Sequence, residues 1–427
     1  MIERAVKVDD SAVISDRLAI HGGQPVRTKP FAPWPHFSGD EIATVVSILR
    51  SGKVNYWTGE QGRRFEAEFA DYCGCRHAIA VANGSVALEL ALMAFGVGPG
   101  DEVIVPSRTF IASASCAVLR GAIPVFADVD RVSQTVTEDT IRAVLSPRTR
   151  AIIVVHLAGW PCDMDSITAL AREHSIAVIE DCAQAHGASY WGRRVGSLGD
   201  AAAFSFCQDK IISTGGEGGM VVTSRRDIWE RVWQFKDHGR NYALSHATAE
   251  PGFRWIHDTF GTNFRLTEIQ SALGRVQLGR LDKQVEGRRR NAAALTGRFR
   301  SIPALRVTEP SAGVGHSYYK YYVFVKPEQL SPEWNRDRIL AAIVAEGVPC
   351  ATGICSEVYL EKAFPAEWHP ALRLPIAQEL GATSLMFMVH PTLSYEHIND
   401  TCIAVEKVMR IATQHVHQLS AASSEIV

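Results

Sequence analysis

The sequence predicts an α/β protein with a large, mostly parallel sheet covered by helices and a smaller α+β lobe toward the C-terminus. Three observations predict it. From Ala78 to Val222 short β-branched runs ("AIAVA", "EVIVP", "IPVFADV", "AIIVVH", "IAVIED", "AAAFSF", "GGMVVT") alternate with helical patterns such as "SVALELALMAFGV", "FIASASCAVLRGA" and "MDSITALAREHS". That rhythm requires crossover connections and so parallel strands with helices on both faces. The stretch from Leu266 to Arg300 keeps a helical period through Ile269, Leu273, Val276 and Leu281 and is expected to bridge two lobes. Beyond Pro303 the pattern restarts with the strand "YYKYYVFVKP" and the helices "NRDRILAAIVAEG" and "INDTCIAVEKVMRIATQHVHQL". The expected division is a loose N-terminal extension over residues 1–30, a large domain over 31–290 and a small domain over 291–427.

Composition narrows the function. The 427 residues are 46% hydrophobic and 21% charged, which is ordinary for a folded globular chain long enough for two or three domains. A formal net charge of -2 gives no electrostatic reason to expect a nucleic acid as partner. The longest apolar stretch is interrupted by Asn83, Gly84 and Glu89, so no membrane span is expected, and the opening residues lack the apolar core of a signal peptide. A cytoplasmic location follows as the expectation. Nine scattered cysteines fit reduced, mostly buried thiols. Cys73, Cys75 and His77 have no second pair at zinc-like spacing, so no metal is expected.

Ligands of open α/β sheets sit beyond the carboxyl ends of the strands. There the segment "FSFCQDKIISTGGEGGMVV" sets Lys210 after a strand and before a glycine cluster. A phosphate-binding loop of the ATPase type needs its glycines before the lysine, and here they follow it. Taken alone, Lys210 reads as a solvated surface charge. Other strand ends change that. The strand "VIED" ends in Asp181, a carboxylate that can point into the crevice and keep a pyridine nitrogen protonated, although alone it is also an ordinary turn residue. At Asn83, Gly84 and Ser85 a strand gives way to a helix, whose free N–H groups attract an anion. The helix dipole contributes only about 0.3–1 kcal/mol, so a phosphate there needs more donors. Ser205 and Asn263 are candidates. In "PSRTFIAS" Phe110 can stack on a planar ring. A Schiff-base lysine, a ring-nitrogen carboxylate, an anion-binding helix start and a stacking ring together describe a site for pyridoxal 5'-phosphate.

With these residues in place, the sequence resembles the DegT/StrS family of pyridoxal phosphate-dependent sugar aminotransferases, a branch of the aspartate aminotransferase (type I) fold. The stretches that carry the resemblance are "NGSVALELAL", "PSRTFIASA", "PVFADVD", "VVHLAGWPCDMD", "EDCAQAHGASYWGRRVGSLGDAAAFSFCQDK", "GGEGGMVVT" and "GTNFRLTEIQSALGRVQL". Ser85 stands where threonine is commoner, and one extra glycine lengthens the turn after the lysine. The resemblance implies that Lys210 carries the cofactor as an imine and moves the proton, and that Asp181 pairs with the ring nitrogen. It puts Gln184 near the ring's phenolic oxygen. Gly84, Ser85 and Ser205 would hold the phosphate, joined by Asn263 from the neighbouring subunit of a homodimer, with Phe110 on the ring face. Glu217, Arg265, His316 and Tyr318 would border the sugar pocket, and Lys236, His238 and Arg240 would meet a diphosphate. Lysine at 210, where a dehydrating branch of the family has histidine, favours amino transfer from L-glutamate or glutamine to a nucleotide-linked keto sugar. The N-terminal "LAIHGGQPVRTKPFAPWP" looks like the openings of inosose aminotransferases, which keeps cyclitol and aminoshikimate acceptors open. A non-catalytic regulator that binds the same cofactor is disfavoured, because no basic DNA-binding extension is present.

Overall fold

The computed structural model of the chain describes residues 17–248 and 252–414. The first strands are β1 (His77–Val81), β2 (Glu102–Pro106), β3 (Ile123–Ala127), β4 (Thr149–Val155) and β5 (Ala177–Asp181). After the short β6 (Ser189–Tyr190) and β7 (Arg193–Arg194) come β8 (Ala201–Ser205) and β9 (Gly219–Thr223). Seven of these form one sheet in the order β1-β9-β8-β5-β4-β2-β3. β8, β5, β4, β2 and β3 run parallel, while β9 is antiparallel to both of its neighbours. Because β9 reverses twice, β1 points the same way as β8. The ends of β1, β2, β5 and β8 therefore open on one edge of the sheet, where the sequence put the site.

The strands are buried on both faces, as a covered sheet requires. Alternate residues feed two cores. Ile152, Val154 and Val178 join the core containing Phe65, Phe69 and Phe206. Ile153, Val155 and Ile179 join the one containing Leu88, Leu92 and Trp233. Asn83 caps the helix Gly84–Ala94 by accepting the Val86 amide at 2.9 Å, which fixes the helix start beside the end of β8.

The expected long helical stretch is two helices, Glu268–Leu278 and Leu281–Phe299, broken at Gly279 and Arg280. The first packs on the helix Gln61–Cys73 and the second on the helix Tyr395–Ala412. A four-stranded sheet in the order β10-β12-β14-β13, from β10 (Leu305–Val307), β12 (Tyr321–Val325), β13 (Cys350–Ala351) and β14 (Ser384–Phe387), backs the C-terminal helices. β11 (Val314–Gly315) instead pairs with β6. Residues 17–30 do not hang loose. Leu18 is buried in the core of this second sheet, and the Arg27 guanidinium donates to Asp400 at 2.7 Å. Residues 1–16 of the expected extension and the last residues of the expected final helix lie outside the described residues. Among the described residues no helix is long and apolar enough to cross a membrane.

Candidate active site

A cavity of about 810 Å³ opens at the shared strand edge, within the roughly 300–1,000 Å³ of small-molecule and cofactor sites. Its walls include Gly84, Ser85, Phe110, Asp181, Gln184, Ser205, Lys210 and Glu217, so eight of the residues singled out from sequence meet in one place.

Each wall has a local cause. A Cβ on Gly84 would stand 2.6 Å from Ser205 Cβ. Only glycine lets the helix start come this close to β8, leaving the Ser85 and Ser205 hydroxyls beside the free N–H groups. Asp181 ends β5 and is buried. Its Oδ2 accepts the Ser113 hydroxyl at 2.8 Å and its Oδ1 the Ala183 amide at 3.1 Å. Burial pushes the Asp181 carboxyl up, and the Ser113 hydroxyl, the Ala183 amide and the Lys210 charge pull against that rise. The neighbouring Glu180 points to the other face. It accepts the amides of Gly196, Leu198 and Gly199 at 2.7–2.8 Å and pairs with His156 Nε2 at 2.9 Å. His156, Glu180 and Cys182 bring ligand-type atoms together, but the histidine and the carboxylate are already taken by these bonds and by the Cys162 amide on His156 Nδ1. Gln184 Oε1 accepts the Ala158 amide at 2.8 Å, which orients its side chain at the cavity wall. Phe110 is 62% exposed, a large apolar ring left open at the cavity mouth.

Lys210 follows β8 in a tight turn, its amide donating to the Cys207 carbonyl and its carbonyl accepting Trp34 Nε1 at 2.9 Å. The proline- and aromatic-rich "PFAPWPHFSG" segment thus holds the lysine's backbone. The Lys210 ammonium lies 3.3 Å from the Tyr319 hydroxyl and 3.5 Å from Asp209 Oδ1. Tyr319 in turn donates to Asp209 Oδ2. Burial and the Asp209 charge push the Tyr319 phenol up, so it stays a donor.

Several residues expected at the sugar pocket lie away from this chain's own cavity. Lys236 is fully buried, its ammonium 4.0 Å from the Tyr56 ring centroid, where no diphosphate reaches it. Arg265 bonds Asp237 at 2.8 Å, and Arg240 lies 3.9 Å from the same carboxylate. His316 is buried and stacked on Tyr318 at 3.8 Å, and neither lines the cavity. The next two residues, Tyr319 and Lys320, line it instead. The reason is the left-handed backbone at Tyr318, φ 49°, which turns the chain before β12. His238 and Asn263 are exposed and stand outside their own chain's cavity. Sequence reasoning missed Ser113, Asp209, Tyr319 and Lys320. The signals were there in the acid beside the lysine in "QDK" and the hydroxyls of "FIASAS", but nothing in a linear reading said which way they point.

The donor set suits the phosphate, ring and aldehyde of pyridoxal phosphate. Hydroxyls and helix amides gather at one wall, a buried carboxylate ends β5, and a lysine amine enters from the turn after β8. A parallel-stranded α/β fold with this site defines the class as pyridoxal phosphate-dependent aminotransferases. Residues 35–406 match the DegT/DnrJ/EryC1/StrS aminotransferase family, and the chain belongs to it. It is 38% identical to the GDP-perosamine synthase of Caulobacter vibrioides over 88% of this chain and 97% of that one. It is 39% identical to an L-glutamine:2-deoxy-scyllo-inosose aminotransferase of Streptomyces fradiae over 77% and 78% of the two chains. Among solved structures, an aminotransferase from Psychrobacter cryohalolentis is 50% identical, with a TM-score of 0.88 over 90% of this chain and all of that one.

Proposed function

We propose that this aminotransferase moves the amino group of L-glutamate or glutamine to a nucleotide-linked keto sugar, within the synthesis of an amino sugar for a surface polysaccharide or secondary metabolite. The observation that carries the reading is the meeting of Lys210 and Asp181 in one cavity with the Gly84–Ser85–Ser205 anion cradle. Relatives named for GDP-, UDP- and dTDP-linked sugars support the acceptor class.

Pyridoxal phosphate, when bound, supplies an electron sink and a temporary carrier for the amino group. Gly84, Ser85 and Ser205 would hold its phosphate, Phe110 would cover its ring, and Gln184 and Asp181 would meet its phenolic oxygen and ring nitrogen. Ser113 and Ala183 donate to Asp181 and so favour its charged form against the pull of burial, and that charge would favour a protonated ring nitrogen. Lys210 Nζ, as the neutral amine, would take a proton from the donor's carbon in one half of the cycle and deliver one to the acceptor's carbon in the other, each half completing its own transfer. Tyr319 and Asp209 fix where that amine waits. Glu217 faces the acceptor.

The assembly belongs to the same proposal. Asn263 completes the phosphate site of a partner subunit in a homodimer. Supporting this, Phe253, Trp255 and Phe260 near it are 79%, 85% and 98% exposed, an apolar surface of the kind that marks an interface. The nine cysteines are all free, which supports a reducing, cytoplasmic setting.

The relatives that aminate 2-deoxy-scyllo-inosose favour a cyclitol as the second reading. The test is to give cofactor-loaded enzyme L-glutamate or L-glutamine with a panel of nucleotide-linked keto sugars and inososes, and to identify aminated products by mass spectrometry. Amination of inososes alone would replace the proposed acceptor.

A further inference from the structure

We propose that Lys320 receives a carboxylate of the amino-acid donor. The inference deepens the aminotransfer reading and rests on it. Among the described residues lining the cavity, Lys210 and Lys320 are the cations. Lys320 is 13% exposed in its side chain, with its ammonium 3.8 Å from Asp209 Oδ2. Its hydrogen-bond partner is the Met388 sulfur at 3.3 Å, a weak acceptor that a carboxylate displaces readily.

Asp209 does not satisfy this wall. It already accepts the Tyr319 hydroxyl and lies beside Lys210. Behind it the fully buried Arg288 lies over the Trp34 ring, 4.9 Å from its centroid, and donates from Nη1 to the Tyr319 carbonyl at 3.2 Å, while its Nε and Nη2 have no hydrogen-bond partner among the described residues. Even with Lys210 committed to the cofactor, two cations face one carboxylate. Desolvated cations in this position are costly until an anion joins them. Burial lowers the Lys320 ammonium to about 8 and the Arg288 guanidinium to about 9.

Position matches need. The Lys210 and Lys320 ammonium groups sit 5.0 and 4.6 Å from the centroid of the same Tyr319 ring, so they cannot be further apart than the two distances together. Within that limit an amino acid whose amine reacts at Lys210 can reach Lys320 with a carboxylate. The other basic residues expected near substrate are engaged elsewhere: Arg240 and Arg265 face Asp237, and Lys236 is buried on Tyr56.

The charged and titratable groups around Lys320 are Asp209 and Lys210 from the turn after β8, Arg288 from the helix Leu281–Phe299, His390 after β14, and the adjacent Tyr319, whose phenol burial pushes up so that it stays neutral. Burial holds the His390 ring down to about 3, so it stays neutral and does not titrate in the working range. A carboxylate held by the Lys320 ammonium therefore loses affinity as the pH rises past about 8.

The experiment uses cofactor-loaded parent enzyme, Lys320→Met and Lys320→Arg. It measures KM for L-glutamate, L-glutamine and the keto sugar, and glutarate binding by calorimetry between about pH 6.5 and 9.5. Lys320→Met is expected to raise the glutamate KM and weaken glutarate about tenfold or more, with the keto-sugar KM held. Lys320→Arg is expected to keep glutarate binding and to remove its loss above pH 8. An equal rise for both amino acids identifies the α-carboxylate, and a rise for glutamate alone the side-chain carboxylate; each supports the assignment. Unchanged donor KM and glutarate binding in Lys320→Met, or a rise confined to the keto-sugar KM, would overturn it while leaving aminotransfer intact. Parent enzyme that aminates no acceptor from either donor would remove the aminotransfer reading, and this inference with it, before any variant is compared.

Discussion

The Ser113 hydroxyl donates to Asp181 Oδ2 at 2.8 Å, tying the helix after β2 to the last residue of β5. This bond sets how the buried carboxylate titrates. Removing it in Ser113→Ala leaves burial less opposed, so the Asp181 carboxyl rises further and protonates at a higher pH. The acid limb of kcat/KM is expected to shift toward neutral pH, and cofactor affinity to fall about tenfold, the worth of one hydrogen bond to a charged group. A pH–rate profile with cofactor titration checks both, and an unmoved acid limb would argue against Asp181 as the ring-nitrogen partner.

Gly84→Ala places a methyl 2.6 Å from Ser205 Cβ. The helix start must back away from β8, opening the anion cradle. We expect loss of about 1–3 kcal/mol in stability and weak retention of cofactor. Thermal melting and absorbance after dialysis give the two values separately.

Lys210→Ala removes the amine that moves the proton. Amino transfer from glutamate is expected to fall by about 10²–10⁴-fold or more while the fold is kept, since the side chain lies at a cavity wall rather than in a core. Single-turnover assays with circular dichroism as the folding control decide it. A variant cycling at the parent rate would end the assignment.

Glu180 satisfies three backbone amides and His156 inside the protein. Glu180→Ala strands those groups without water and is expected to cost about 3–5 kcal/mol. Urea denaturation measures the loss. A small change would mean that the loop from Gly196 to Gly199 is held by other contacts.

Subunit mixing tests the shared site. Lys210→Ala and Asn263→Asp chains are each expected to be nearly inactive alone, the second because its carboxylate would repel the partner's phosphate. Refolded together, the mixed dimers carry one site free of both changes, and about a quarter of the parent activity should return. No recovery despite mixed dimers, seen by mass spectrometry, would place Asn263 outside the partner's site.

The sequence by itself determined the α/β rhythm, the strand ends where polar residues collect, and the lysine, carboxylate and glycine–serine helix start on which the chemistry depends. These were legible because each depends on local rules: strand period, helix-start amides, glycine at a close approach. Only the tertiary structure decided which neighbours of those residues face the cavity. The turn at Tyr318 withdraws His316 and Tyr318 into a stacked pair and delivers Tyr319 and Lys320 in their place. Lys236 reads in "FKDHGRNY" like an accessible cation, yet it is buried on Tyr56, some 180 positions earlier in the chain. Asp209 acquires its importance only when the segment leading into β12 brings Tyr319 to it. Side-chain direction and burial depend on packing between segments distant in sequence, and no local pattern records them.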